Sequence, residues 1–512
     1  GGVAIGWQSL AGANVYTAGV PGSDINKDNE TDITNYGKWG DVAIGLRAMA
    51  TGGNATAVGR SANATEANAI AIGGGDGKAS NDNVEHTIAS GEKAIAIGYK
   101  ALASDKNATS IGTDAQARQS RATAIGYEVR AEGKNAVAIG SSGESSAKVV
   151  AKGEDAIAIG TRAQGNNIAA TAIGKEAVAS DTNSIAFGTS AKGVGASSTA
   201  IGNSAEAKKS DAIALGTDTE ASEERAVAIG KGATAEKVDA VALGTSATSG
   251  GANGVAIGND AQAQAADTIA VGSTSRASSA NDSAFGNAAK ATGGGATAIG
   301  YTVTTSGNQA FGAGSNSEVS GAGAVGIGYK VKASGNRAIS IGNDNGDANP
   351  TVASGEKAIA IGSGVKATDS VSIAMGRNAQ SLREYTTAIG TNVIASKEAS
   401  GSTLIGYNST TKGNQSVNIG STNTTEETAQ YSTAIGYKTN VSGMNAIAIG
   451  SGDGEPNSGN VIASADNAIA IGTKTKASAA SATAIGKEAQ ATKTNAFAAG
   501  TSASATGETS TA

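Results

Sequence analysis

Residues able to do chemistry are few in this chain of 512 residues. It holds one histidine, His86, and no cysteine. A thiol nucleophile, a disulfide framework and a Cys/His zinc site therefore have no material. A Ser-His-Asp arrangement would have to be built on His86, which sits in a polar stretch and reads as a solvated loop residue. The adjacent carboxylates Glu223-Glu224 and Glu426-Glu427 fall where turns are expected, with no cleft to gather them, and read as charges on a solvated rim. Three segments invite a calcium reading: Gly73-Gly74-Gly75-Asp76-Gly77, Asn343-Asp344-Asn345-Gly346-Asp347 and Ser451-Gly452-Asp453-Gly454-Glu455. They lack the carboxylate count of an EF-hand loop and the nonapeptide of calcium-binding β-rolls, so turn chemistry accounts for them. Glycine is abundant, at 74 residues, but no Gly-x-x-x-x-Gly-Lys-Ser/Thr opens a helix and no phosphate loop of that kind is present. No catalytic residue, metal or cofactor is expected.

Side chains suited to binding remain. Aromatic residues make up only 3% of the chain, yet Trp7, Tyr16, Tyr36 and Trp39 crowd into its first 44 residues. These four, with Asp76 and Asp453 from the Gly/Asp segments, are the candidate ligand-binding positions, because binding residues gather on protruding loops. The aromatic stretch has a second reading, a cap over the open end of a stack.

The elements that must position these residues are set by a repeat. The string Ala-Ile-Ala-Ile-Gly and its variants recur from Gly6 to Gly500, most often at intervals of 14 residues, and without interruption from Gly160 to Gly300. A short fixed period over such a length marks a solenoid, not packed globular domains. Within one unit, as in Asp155-Ala156-Ile157-Ala158-Ile159-Gly160, large β-branched residues stand two apart with Ala between them. Period two is a strand. Two polar residues follow the glycine, then small residues two apart (Ala101 and Ala103, Ala115 and Ala117), which read as a second short strand. Each unit is therefore strand, tight corner, strand, loop. The Ile/Val pair is expected to be a buried face. The Ala faces are expected to let several copies of the chain pack closely, although alternation does not say which face is intra-chain. Stacked at 4.7–4.9 Å per turn, the repeats would build a thin rod on the order of 150 Å long.

The corner glycine suits positive φ or the close approach of a neighbouring strand. Asn or Asp recurs five residues before it, as at Asn68, Asn107, Asn183, Asn445 and Asn467, where a left-handed turn and a stacked side-chain ladder are expected. Tyr99, Tyr127, Tyr301, Tyr329, Tyr407 and Tyr437 each directly follow a repeat glycine and would share one edge, packing over the corner or against a neighbouring chain. Some intervals are irregular. Placing one corner at Gly312 gives intervals of 12 and 16 residues around it, and longer ones contain the Gly/Asp segments. All three prolines, Pro21, Pro350 and Pro456, fall in such interruptions, where no ladder hydrogen bond is lost.

Composition excludes other classes. Collagen would need a three-residue glycine period and proline. No run of eighteen apolar residues exists to span a membrane. A formal charge of −6 does not suit a strongly basic nucleic-acid binder. A hexapeptide acyltransferase is disfavoured because 14 is not a multiple of six. An ice-binding array is set aside because Thr123, Thr171 and Thr199 share their position with Ile and Val in what reads as a buried face.

The units Asn135-Ala136-Val137-Ala138-Ile139-Gly140, Asn-Ala-Ile-Ala-Ile-Gly at 445–450 and again at 467–472, and their 14-residue spacing resemble the YadA-like head repeats of trimeric autotransporter adhesins. The resemblance covers essentially Gly45 to Gly500. It implies an all-β, left-handed parallel β-roll, three chains around one axis, and display on the bacterial cell surface by a stalk and an outer-membrane anchor. The chain starts and stops within its repeats, so it is expected to be a segment of a longer protein. The implied function is non-enzymatic adhesion to extracellular-matrix proteins, host cells or other bacteria, with the homotrimer as the working unit. Neither nucleic acid nor membrane contact is expected. The alternative is a structural spacer that projects a more distal binding domain. Residues 1–44 are read as a first repeat plus the aromatic insertion, and 45–512 as the β-roll.

Overall fold

The computed structural model describes residues 3–6, 9–11, 40–75, 86–143, 148–343, 349–452 and 459–512. Every regular element among the described residues is a β-strand. The chain divides into two compact units, Gly1–Asp260 and Ala261–Ala512.

In the first unit each coil contributes two strands to two parallel ladders. Ile157–Ile159 pairs with Thr171–Ile173, so that Ile157 faces Thr171, Ala158 faces Ala172 and Ile159 faces Ile173. Gln164–Gly165 pairs likewise with Val178–Ala179. Backbone hydrogen bonds run from coil to coil: Ile157 N–H donates to Ala170 O (2.8 Å), Gly160 N–H to Ile139 O (2.8 Å) and Gln164 N–H to Ala177 O (2.9 Å). The second unit repeats the scheme, for example where Ile469–Ile471 pairs with Thr483–Ile485. A coil closes a few turn bonds of its own, such as Ala170 N–H to Asn167 O (3.1 Å), and its strands are satisfied by the neighbouring coils.

The interior shows which face is intra-chain. Ala158, Ala163, Ala172 and Ala177 are fully buried, whereas Ile157 and Ile159 point outward and are half-buried. The same holds along both units. A coil that closes within 14 residues leaves room between its two strands for one layer of methyl-sized groups. The Ile/Val pair is thus excluded from the inside by size, and the Ala face is the intra-chain one.

Corners follow the expected chemistry. Gly230 has φ +123°, and a Cβ there would lie 2.5 Å from the carbonyl oxygen of Gly244 in the next coil. Both reasons for glycine, conformation and close approach, hold at once. The position five residues earlier is left-handed throughout, with φ 58° at Asn68, 56° at Asn107, 57° at Asn183 and Asn445 and 56° at Asn467. A second left-handed position, two residues after the glycine, is occupied by Arg162 (φ 59°), Glu176 (φ 60°) and Ser190 (φ 56°). These are residue types that carry no turn signal.

The corner expected at Gly312 lies at Gly314 instead. Gly300 pairs with Gly314, and Gly314 with Gly328, so both intervals are regular. Gly312 occupies the inward position normally held by Ala, beside Val303 and Val319. The longer intervals are true insertions. Ile70–Ile72 pairs in register with Ile95–Ile97 across one of them, and Lys332 with Val352 across another.

Candidate functional site at the glycine corner

All six candidate ligand-binding residues, Trp7, Tyr16, Tyr36, Trp39, Asp76 and Asp453, lie outside the described residues. The strands around them are described. Four of the insertions leave the roll at the same place, between a corner glycine and the second strand of its coil: after Gly73, Gly140, Gly342 and Gly450. In each unit, therefore, the corner rim carries two of these insertions and part of the tyrosine row.

That row is exposed. Tyr127 is 46% accessible, Tyr301 56% and Tyr407 52%. Where lysine follows, its ammonium caps the ring: Lys100 Nζ lies 5.2 Å from the Tyr99 ring centre, Lys330 Nζ 4.9 Å from that of Tyr329, and Lys438 Nζ 5.8 Å from that of Tyr437. Such pairs hold the rings against the corner while leaving one face and edge accessible. Tyr127 is followed instead by Glu128, whose negative charge raises the phenol above its usual pKa.

On the same rim of the second unit, side-chain amides stack. Asn378 Nδ2 donates to Asn392 Oδ1 (3.0 Å), and Asn392 Nδ2 to Asn408 Oδ1 (3.0 Å). All three residues sit two places after a corner glycine, in left-handed conformation with φ 54°, 54° and 49°. The ladder expected five residues before the corner also forms in part, as Asn445 Nδ2 to Asn467 Oδ1 (3.2 Å) and Asn135 Nδ2 to Asp155 Oδ1 (2.9 Å). The 378–408 ladder occupies the other turn position, and its signal in the sequence is the recurrence of Asn two places after successive glycines. Beside it opens a cleft of about 330 Å³ lined by Asn349, Gly364, Lys366, Asn378, Gln380, Asn392 and Ile394. Asn349 lies between Gly342 and the second strand of its coil, and it alone among the described residues of that stretch lines the cleft.

Charges form ladders between coils. Arg225 is bidentate to Asp239 (2.6 and 2.8 Å), Lys106 reaches Glu92 (2.8 Å), and Lys208 reaches Glu220 (2.5 Å). Glu92 is held below the usual carboxylate range by its hydrogen bonds from Lys106 and Lys93, Asp239 by Arg225, and Glu220 by Lys208 and Ser222. Glu224 is exposed beside Arg225 and Glu426 pairs with Lys412 (3.0 Å), as befits rim charges. His86 departs from its reading: it is half-buried, with Nδ1 shielded and unpartnered.

The third surface feature is the outward Ile/Val face. The position just before the corner glycine runs Ile139, Ile159, Ile173, Phe187, Ile201 and Leu215 on successive coils, paired in register. In both units every described coil has an apolar residue there. Phe187 is 51% accessible and Leu243 40%.

The YadA head domain repeat model matches residues 50–75, 89–142 in overlapping copies, 150–164, 166–191, 194–219, 221–247, 249–275, 277–302, 320–345, 372–392, 428–452 and 463–489. These stretches make up well over half of the chain, and each falls on coils of the kind just described. The chain belongs to the YadA head family. It is accordingly an adhesin-type repeat domain of the cell-surface class. No curated protein matches it. Two stretches of this YadA-type head that the family model leaves unmatched, 303–319 and 393–427, hold the coils with the least usual interiors: Gly312 with Val303 and Val319 in one, Leu404, Asn418 and Asn423 in the other.

Proposed function

We propose that the chain is the head of a trimeric bacterial surface adhesin, carried beyond the outer membrane by an anchor outside this segment, and binding matrix protein, host cells or other bacteria. The observation that carries the trimer is the unbroken apolar row before the corner glycines. A contiguous apolar stripe on a soluble surface marks an interaction site. Covering the exposed half of one Ile is worth about 1 kcal/mol, repeated on every coil. Two further copies of the same periodic surface match it coil for coil. Binding itself falls to the corner rim of each unit, which carries tyrosines and two insertions, joined in the second unit by the amide ladder. There, many weak contacts on one particle add by avidity. The aromatic insertion near the N-terminus belongs to this proposal as a ligand loop or as a cap.

Light scattering on the full chain tests the assembly. The expected mass is near three times 49.2 kDa, and Ile173→Glu with Ile201→Glu should release monomers. A parent protein that is monomeric even when fused to a trimeric coiled coil overturns the trimer. Solid-phase binding to collagens, fibronectin, laminin and partner cells tests adhesion, and a signal no higher than that of the denatured protein overturns it. The regular stretch from Gly160 to Gly300, which has no insertion, favours a spacer role for that part. Adhesion retained after a length-preserving exchange of those coils is the expected result. Thr123, Thr171 and Thr199 face outward and do not lie on a buried face. The row still mixes Thr with Ile, Val and Phe, and no thermal hysteresis is expected.

A further inference from the structure

The cleft beside Asn349 has a composition that singles out one ligand chemistry. Its seven described lining residues include four side-chain amides and one cation, Lys366, and among them no carboxylate and no aromatic ring. No described carboxylate lies within ion-pair distance of Lys366, unlike Lys332 on the same row, which pairs with Glu318 (3.3 Å). Asn392 spends one N–H on Asn408 and one lone pair on Asn378, and so retains a donor and an acceptor fixed in direction by the ladder. Gly364, two places after its corner, supplies no side chain where Asn378 and Asn392 supply amides. This opens the end of the cleft nearest Lys366. The lining residues come from four successive coils, so polar groups repeat every 4.7–4.9 Å along the stack. That spacing is close to the advance of one sugar unit in an extended polysaccharide.

We infer that this cleft binds a linear acidic oligosaccharide lying along the stack, with its carboxylate or sulfate on Lys366 and its ring hydroxyls on the amides of Asn378, Gln380 and Asn392. Amides suit hydroxyls because each both donates and accepts. The missing aromatic platform leaves hydrogen bonding and charge as the source of affinity, which disfavours a neutral glycan. An extended peptide would seek an open strand edge, whereas here the polar groups are side chains above a fully paired ladder. The inference deepens the adhesive reading and rests on it for the ligand's presentation outside the cell.

Calorimetry on the full chain with three hexasaccharide probes tests it: heparin-derived (sulfated), hyaluronan-derived (carboxylate only) and cellohexaose (neutral). At least one acidic probe should bind, more weakly as salt rises, and cellohexaose should not. Lys366→Gln, which places a residue type already used on this row, should weaken binding about tenfold through loss of a charge-assisted bond. Gln380→Leu should weaken it less, and Gly364→Asn should weaken it by filling the open end. Each variant should melt with the parent. Binding of none of the probes, equal binding of the neutral probe, or acidic binding unchanged in both Lys366→Gln and Gly364→Asn overturns the inference. Solid-phase adhesion run on the same preparations separates the two readings. Adhesion without oligosaccharide binding overturns the cleft alone, and oligosaccharide binding without adhesion overturns the adhesive reading alone.

Discussion

Coils 157–257 of the first unit and coils 297–341 of the second fill the same space in different ways. In the first region the place three residues after the corner glycine is mostly Ala, as at Ala163 and Ala177, and the strand before it spans three residues, as in Ile157–Ile159. In the second, Val303 and Val331 stand there, and the preceding strands, Thr297–Tyr301 and Val325–Tyr329, run on through the glycine to five. Every described coil with Val at this place has a five-residue strand, including those leading to Val129, Val149, Val365, Val393 and Val461. The added methyl groups are offset across the coil: Gly312 and Gly326 replace Ala on the facing strand, and a Cβ at Gly326 would lie 2.5 Å from Val319 Cγ2. Around Val303, Val319 and Val331 interior volume is thus exchanged across the coil, whereas around Val129, Val365 and Val393 the facing residues stay Ala and the larger side chain goes with the longer strand alone.

The corner glycine is common to both regions, so substituting it should break them equally and with the largest effect. Gly230→Ala and Gly328→Ala each force a Cβ into the next coil's carbonyl at a φ that L residues avoid. A loss of about 3 kcal/mol or more is expected in denaturant melts. A much smaller loss at Gly328 would mean that the extended corner is looser than its register indicates.

The volume exchange itself is tested by a double-mutant cycle. Val319→Ala should cost about 1–3 kcal/mol through a cavity, and Gly326→Ala a similar amount through overpacking. The double variant should recover much of both, because each change supplies what the other lacks. Simple additivity would show that the two sites do not share space. In coils 157–257, Ala228→Val, with the buried Ala221, Ala233 and Ala235 at the facing inward places, has no facing glycine to absorb it and should cost about 1–3 kcal/mol uncompensated.

A smaller gain is expected five residues before the corner. There most coils carry Asn, Asp or another tolerant residue, but the second unit has Val371, exposed and at φ 54°. Val371→Asn should stabilise by about 1 kcal/mol, since a β-branched side chain is strained in that conformation. An unchanged melting temperature would place the strain elsewhere.

The smallest effect is electrostatic. Glu92, Glu220 and Asp239 have lowered pKa values in the folded chain, so their contribution is complete above the ordinary carboxylate range and is lost as pH falls through their depressed values. Stability should be flat from pH 8 to 6 and decline below about pH 4, with added salt weakening the same pairs. A decline beginning near neutrality would show that these pairs are not its cause.

Much of this was legible in the residues. The spacing of Ile157, Ile159 and Gly160 states a strand and a corner, and Asn183 or Asn467 states a left-handed turn, because both are local preferences of the backbone. The cleft was not legible, since Asn349, Lys366 and Asn392 meet only through stacking across an insertion. Nor was the left-handed backbone at Arg162 and Glu176, where coil-to-coil hydrogen bonds impose a conformation that the side chains do not request. Gly312 misled because two glycines two residues apart both fit a local corner, and only the pairing of Gly300 with Gly314 tells them apart.

The sequence by itself thus determined the period, the strand and corner in each unit, and the membership of one repeating family, all properties of residues near one another in the chain. Which side of the alternation faces inward was decided by the tertiary structure. Period two separates Ile from Ala but carries no sign, and the narrow space left when 14 residues close on themselves admits the methyl groups and turns the larger side chains out.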